Sequence, residues 1–290
     1  MRSERIVFRG CEDNVLVASR YGRDGTPVLL LHGGGQTRHA WRAAASQLSE
    51  DGFVAYALDQ RGHGESDWVP SGRYGLSEFG ADLVATVQEV TRLHGARPAV
   101  VGASLGGLSG LVAEGLIAPG LMAALVLVDI TPQVDPDGVS KVLGFMSERV
   151  EQGFGSVEEA AEAVASYLPH RKRPKSLEGL KKNLRLHDDG RYRWHWDPRF
   201  IGERDEHGRP KNRMPEEDLV RAAGSLSLPV LLIRGGRSEL VTKVHAEQFQ
   251  RVVPHAQVVD VQQAGHMVAG DRNDVFAEAL RSFLGRLCMA

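Results

Sequence analysis

Apolar and polar positions follow two rhythms along this chain. Short continuous apolar runs, bounded by Gly, Pro or Asp, occur at residues 28–31, 54–58, 99–102, 125–128, 228–233 and 258–261. Such runs read as strands buried on both faces. Between them the pattern changes to helical spacing. From 77 to 93, for example, Phe79, Leu83, Val84, Val87, Val90 and Leu93 recur three or four positions apart. Further helices are expected from about 41 to 48, from 105 onward, from 243 to 252 and from 274 to 287. At the start, 6–8 and 15–19 flank the polar Glu12-Asp13-Asn14 and read as an antiparallel hairpin. Eight strands with helices between them predict an α/β fold, a mostly parallel sheet covered by helices on both faces. In such a sheet, ligands sit outside the carboxyl ends of the strands.

The alternation stops after Pro132. About eighty residues pass with helical patterns, a basic run and aromatic clusters but no buried-strand run, and the βα rhythm then resumes. Residues 131–215 are therefore expected to form an inserted helical cap, with 1–130 and 216–290 as the two parts of one core.

Composition narrows the function without naming it. The chain has 290 residues, 42% of them hydrophobic, and 35 basic against 37 acidic side chains for a formal charge of −2. That balance lacks the basic footprint of a nucleic-acid binder. No apolar run approaches the ~18 residues of a membrane span, and the charged opening Met1-Arg2-Ser3-Glu4-Arg5 does not resemble a secretory signal. Two cysteines, Cys11 and Cys288, make no disulfide framework or metal knuckle. The expectation is a cytoplasmic enzyme without a cofactor or metal. Its partner would be a small-molecule acyl substrate, with no nucleic acid or membrane, and a homodimer is the assembly considered.

Four loops at strand ends carry candidate chemistry. Gly102-Ala103-Ser104-Leu105-Gly106 follows the 99–102 strand and opens a helix. This G-x-S-x-G spacing suits a sharp strand-to-helix turn that holds a serine hydroxyl outward, beside helix amides that favour negative charge. Ser104 is the candidate nucleophile. The loop Ala264-Gly265-His266-Met267-Val268 offers His266 as the base that takes the serine proton and returns it to the leaving group. Arg234-Gly235-Gly236-Arg237-Ser238-Glu239 offers Glu239 as the carboxylate that orients the imidazole. His32-Gly33-Gly34-Gly35 can aim the Gly34 amide at an oxyanion, and Leu105 can supply a second amide.

With these motifs and Asp59-Gln60-Arg61-Gly62-His63-Gly64-Glu65-Ser66, the chain resembles the α/β-hydrolase superfamily over nearly its whole length. It looks most like the branch of bacterial esterases, non-haem perhydrolases and carbon–carbon bond hydrolases. The resemblance implies a cap inserted after the sixth strand, here after Asp129. It also implies a departure, because the family usually has aspartate where this chain has Glu239, and some relatives place the acid at the position of Asp129. Glu239 is the expected acid and Asp129 the alternative. Serine at 104 argues against the aspartate-nucleophile epoxide hydrolases and dehalogenases of the same superfamily.

The implied activity is cleavage of a carboxylic ester or lactone through an acyl-enzyme on Ser104. Carbon–carbon hydrolysis and acyl transfer or perhydrolysis would use the same triad, and a ligand-binding receptor of the same fold is the rival of another class. His63 and His32 read as loop-fixing residues. Arg171, Lys172, Arg173, Lys175, Lys181, Lys182 and Arg185 read as a solvated basic face that could also attract acidic substrates. Tyr192, Trp194, Trp196 and Phe200 read as cap interior, with Trp194 and Trp196 the candidate lining of a substrate pocket. Gly25, Gly33 and Gly35 lack the spacing of a nucleotide fingerprint.

Overall fold

A computed structural model describes residues 3–168, 176–202, 214–266, 268 and 273–287. Cys288, Met267 and the basic residues Arg171, Lys172, Arg173 and Lys175 lie outside the described residues.

Among the described residues, ten strands form two sheets. The hairpin expected at the start is β1 (Glu4–Arg9) and β2 (Val15–Tyr21). The apolar runs become β3 (Thr26–Leu31), β4 (Phe53–Leu58), β5 (Ala99–Ala103), β6 (Ala124–Val128), β9 (Val230–Gly235) and β10 (Gln257–Val261). Together these eight make one sheet in the order β1-β2-β4-β3-β5-β6-β9-β10, antiparallel at β1, β2 and β4 and parallel from β4 onward. The order places β5 at the centre, where both faces need apolar cover. Alternate side chains meet that need on opposite sides. Leu29, Leu31, Val100 and Leu125 join one buried cluster, while Val28, Leu30, Val101 and Val126 join the other. Each such side chain contributes about 1.5–3 kcal/mol when removed from water.

The helices over these faces are α1 (Arg42–Glu50), α2 (Leu76–His94), α3 (Leu105–Val112), α7 (Glu216–Gly224), α8 (Lys243–Val252) and α9 (Asn273–Leu287). Among the described residues, no helix is long and apolar enough to cross a membrane.

Between β6 and α7 lies the segment expected as a helical cap. It holds α4 (Pro136–Ser147), α5 (Val157–Tyr167) and the short α6 (Glu178–Lys181). It also holds a small antiparallel hairpin, β7 (Leu184–Leu186) with β8 (Tyr192–Trp194), which the helical pattern did not predict. Ser156 and Asp135 start α5 and α4 by accepting backbone N–H bonds from the first turn. The segment has an interior of its own, built on Met146, Phe154, Val157, Ala160, Leu184, Trp194 and Trp196.

Candidate active site

Ser104 connects β5 directly to α3 with a φ of 46° and a ψ of −113°. An L-residue rarely adopts a positive φ, and the conformation costs on the order of 1–3 kcal/mol unless its surroundings enforce it. Here they do. A Cβ on Gly102 would overlap the backbone of Gly106 and Gly107, and one on Gly106 would lie 2.5 Å from the Leu31 carbonyl oxygen. Only glycine at both positions lets α3 start this close to β5 and β3. The Ser104 N–H donates to the Val128 carbonyl at 3.2 Å, tying the elbow to the end of β6.

The next residue along β6 is Asp129, fully buried, also at a positive φ of 50°. Its Oδ2 accepts from His266 Nδ1 at 2.7 Å and from the Ser238 hydroxyl at 2.5 Å, and its Oδ1 accepts from the Gly235 N–H at 2.8 Å. Three donors around one buried carboxylate supply the hydrogen bonds that a buried charge requires. The contact also fixes His266 with Nδ1–H toward the carboxylate and Nε2 on the far side of the ring.

The expected pairing of Glu239 with His266 is therefore corrected. Glu239 is 69% exposed and its carboxylate pairs with Lys141 Nζ at 2.7 Å on α4. The reason is local. The loop after β9 closes on Asp129 through Gly235 and Ser238, and one residue later the chain has turned outward, with the Glu239 carbonyl packed where a Cβ of Gly138 would stand. Ser238, which braces the acid, carries no sequence signal beyond its place in that loop.

The loop after β3 presents three glycine amides with separate fates. Gly33 N–H donates to Gln36 Oε1 at 3.2 Å and Gly35 N–H donates to His63 Nε2 at 3.1 Å. Gly34 N–H has no acceptor among the described residues, and neither has the first amide of α3, that of Leu105.

Two buried histidines shape this loop as neutral rings. His63 donates Nδ1–H to the Arg61 carbonyl at 2.9 Å and so offers Nε2 as an acceptor. His32 donates Nδ1–H to the Gly33 carbonyl at 2.8 Å and accepts from the Gln60 N–H at 3.0 Å. Burial pushes His32 down to about 4, and burial with the neighbouring His32 pushes His63 down to about 3. A third histidine, His195, was not singled out in the sequence. It comes from the inserted segment, accepts from the Gly64 N–H at 2.6 Å through Nδ1, and is likewise held neutral by burial. Below this layer Arg61 is fully buried against Asp82, with two contacts of 2.7 Å, and Asp59 accepts from the Arg38 N–H at 2.6 Å.

The inserted segment lies directly on the glycine loop. Phe200 Cζ sits 3.2 Å from where a Gly34 Cβ would be, and Trp196 Nε1 and Met146 Cε sit 3.5 Å and 3.0 Å from that position on Gly35. Of the two tryptophans expected to line a pocket, Trp196 faces this seam. Trp194 instead stacks edge-on between Phe145 and Phe154 inside the segment. In the basic run, Lys181 pairs with Glu178, and Arg185 donates to the Gly64 carbonyl while its guanidinium lies over Trp68.

A serine at a strained strand-to-helix turn and a buried His–Asp pair, placed at the carboxyl ends of adjacent parallel strands, define the class of protein. The family model for the alpha/beta hydrolase fold matches residues 26–272, and the chain belongs to that family. Esterase Rv0045c of Mycobacterium tuberculosis is 31% identical over 92% of this chain and 85% of its own length. The solved structure of that esterase superposes with a TM-score of 0.75 at 27% identity, covering 98% of this chain and 92% of the other. A 2-(acetamidomethylene)succinate hydrolase from Mesorhizobium japonicum is 27% identical over 90% of this chain and 88% of its own.

Proposed function

We propose that this chain is a serine hydrolase that cleaves a carboxylic ester or lactone through an acyl-enzyme on Ser104. The observation that carries the reading is the 2.7 Å contact of His266 Nδ1 with a fully buried Asp129, one residue beyond the carbonyl that receives the Ser104 amide. Membership of the hydrolase family and the likeness to an esterase support the same chemistry.

In this mechanism Ser104 Oγ attacks the acyl carbon and its proton passes to His266 Nε2. The new imidazolium is stabilised by Asp129, whose other two donors keep the carboxylate in place. Charge developing on the carbonyl oxygen is met by the amides of Gly34 and Leu105, each worth about 10²–10³ in rate in a preorganised site. Collapse returns the proton to the departing alkoxide. Water then attacks the acyl-enzyme with His266 again as base, releasing the acid and restoring the serine. The segment over Gly34 acts as the cap, excluding bulk water and contacting the acyl group.

The test is covalent labelling with a fluorophosphonate probe, followed by peptide mapping, beside turnover of 4-nitrophenyl esters. The expected result is one label, on Ser104, and loss of both label and turnover in Ser104→Ala. Labelling elsewhere, or esterase activity surviving in that variant, would overturn the assignment.

A further inference from the structure

The inserted segment does more than cover the site. Its residues 197–200 are fastened to the core by a buried polar latch. Asp197, only 2% exposed, donates its N–H to the Gly62 carbonyl at 2.8 Å and accepts from the Tyr74 hydroxyl at 2.6 Å. Arg199 closes the latch, donating to Asp197 Oδ2 at 2.6 Å and to the Val69 carbonyl at 3.0 Å. The one-turn 3₁₀ helix Pro198–Phe200 then fixes Phe200, whose N–H donates to the Asp197 carbonyl at 2.8 Å.

The ring so placed has a defined address. Its centroid is 4.7 Å from that of His63, edge to face, and 5.8 Å and 6.3 Å from those of Phe79 and Tyr74. Its edge stands over Gly34, 3.2 Å from where a Cβ there would be, and both Phe200 and Leu105 pack on the cluster of Val69, Tyr74 and Phe79. One aromatic ring therefore lies beside Gly34 and on the same apolar cluster as Leu105, the two residues whose amides are assigned to the oxyanion.

We infer that Phe200 is the specificity-determining residue on the acyl side, a fixed wall that selects esters unbranched at the carbon next to the carbonyl. This rests on the acyl-enzyme reading above. The side follows from the order of strands. The leaving oxygen takes its proton from His266, which lies with Asp129 beyond the ends of β6 and β10. With the carbonyl oxygen on Gly34 and Leu105, the acyl substituent points the other way, toward the loops after β3 and β4, where Phe200 stands over Gly34 and against His63. An acyl α-carbon is two bonds from the carbonyl oxygen, so extra methyl groups on it are brought toward the ring edge that stands over Gly34. A misfit of one methylene in an apolar pocket changes kcat/KM by roughly 10–200-fold.

The experiment compares kcat/KM for 4-nitrophenyl acetate, isobutyrate and pivalate in the wild type, Phe200→Ala and Phe200→Leu. A second series keeps the acetyl group and branches the alcohol. Circular dichroism and fluorophosphonate labelling accompany each protein. The expected result is a pivalate-to-acetate ratio that rises at least about tenfold in Phe200→Ala, with Phe200→Leu between it and the wild type, while the alcohol series keeps its ranking. Should Phe200→Ala fail to fold, the Phe200→Leu ratio decides alone. A ratio that stays within about threefold of wild type, or that moves together with the alcohol series, overturns the inference. If Ser104 labels normally in that case, only Phe200's role is lost. If the wild type neither labels nor turns over esters, the acyl-enzyme reading falls with it.

Discussion

Replacing Asp129 by asparagine asks the most of the site, because the change keeps the shape of a fully buried side chain while removing its negative charge and altering its hydrogen-bonding pattern. The carboxylate accepts at both oxygens: the Gly235 N–H on Oδ1, and the Ser238 O–H and His266 Nδ1–H on Oδ2. An asparagine offers one accepting oxygen and one NH₂ group. If its oxygen stays on Gly235, the NH₂ faces His266 and forces the imidazole to accept at Nδ1, which moves the proton to the Nε2 needed as base. If the amide is reversed, two donors confront each other at Gly235, at a buried position where an unmet donor costs about 1–3 kcal/mol. The first arrangement leaves the fold intact and inverts the tautomer, for which a loss of about 10⁴ in kcat is expected. At 1.36 kcal/mol per decade this is about 5 kcal/mol of transition-state stabilisation. Glu239→Gln removes an exposed contact to Lys141, and turnover should change by less than about twofold. The assay is kcat on a short activated ester for both variants, with thermal melts to confirm folding. Retention of more than about a tenth of wild-type kcat in Asp129→Asn, or a loss greater in Glu239→Gln, would refute the assignment of Asp129 as the acid.

Three further outcomes follow from the same geometry. Gly102→Ala should lower stability by about 1–3 kcal/mol or more, since its Cβ must displace the backbone at the start of α3, and an unchanged urea midpoint would refute the packing argument. His63→Leu removes the acceptor of the Gly35 N–H, so kcat should fall and His63→Gln, which can place an oxygen near the Nε2 position, should restore part of it; equal activity in all three proteins would sink the role of His63 in shaping the oxyanion loop. Because burial lowers both His32, to about 4, and His63, to about 3, the unfolded chain binds more protons than the folded one below the ordinary histidine value of 6.5. Stability should therefore decline as pH falls from about 6.5 toward 4, and denaturant melts of His63→Gln should show a shallower decline, a matching slope being the contrary result.

Much of the core was legible because it depends on short-range patterns. The continuous apolar runs at 28–31, 54–58, 99–102 and 125–128 are the buried stretches of β3 to β6, and Ser104, Gly34 and His266 all stand at strand ends, where an α/β sheet exposes loops. The hairpin of β7 and β8 was not legible. Its strands have three residues each and only part of their surface is covered, too little for a period to show. Nor could the sequence disclose His195 or the latch on Asp197. Tyr74 is 123 residues from Asp197, and Val69 is 130 residues from Arg199. Contacts of that separation leave no local periodicity, and a Trp-His-Trp-Asp stretch reads the same whether its rings fill the cap or border a site.

The exchange of Glu239 for Asp129 has a different origin, since both carboxylates were visible at the ends of neighbouring strands. What separates them is the direction in which the backbone leaves the sheet. Asp129 leaves at a φ of 50°, a conformation to which no flanking glycine or Asn-Gly pair in Val128-Asp129-Ile130 points. This turn aims the carboxylate back across the end of β9, where Gly235 N–H and Ser238 satisfy it and His266 completes its shell. Ser104, one strand away, has the same anomaly at 46°, and its amide donates to the residue just before Asp129. Two strained residues, each costing on the order of 1–3 kcal/mol, thus stand beside each other at the centre of the sheet. Neither would persist if β5 and β6 were free to relax. The paired strands and the glycines of the elbow hold them, so the positions of Ser104 and Asp129 are set by the core itself.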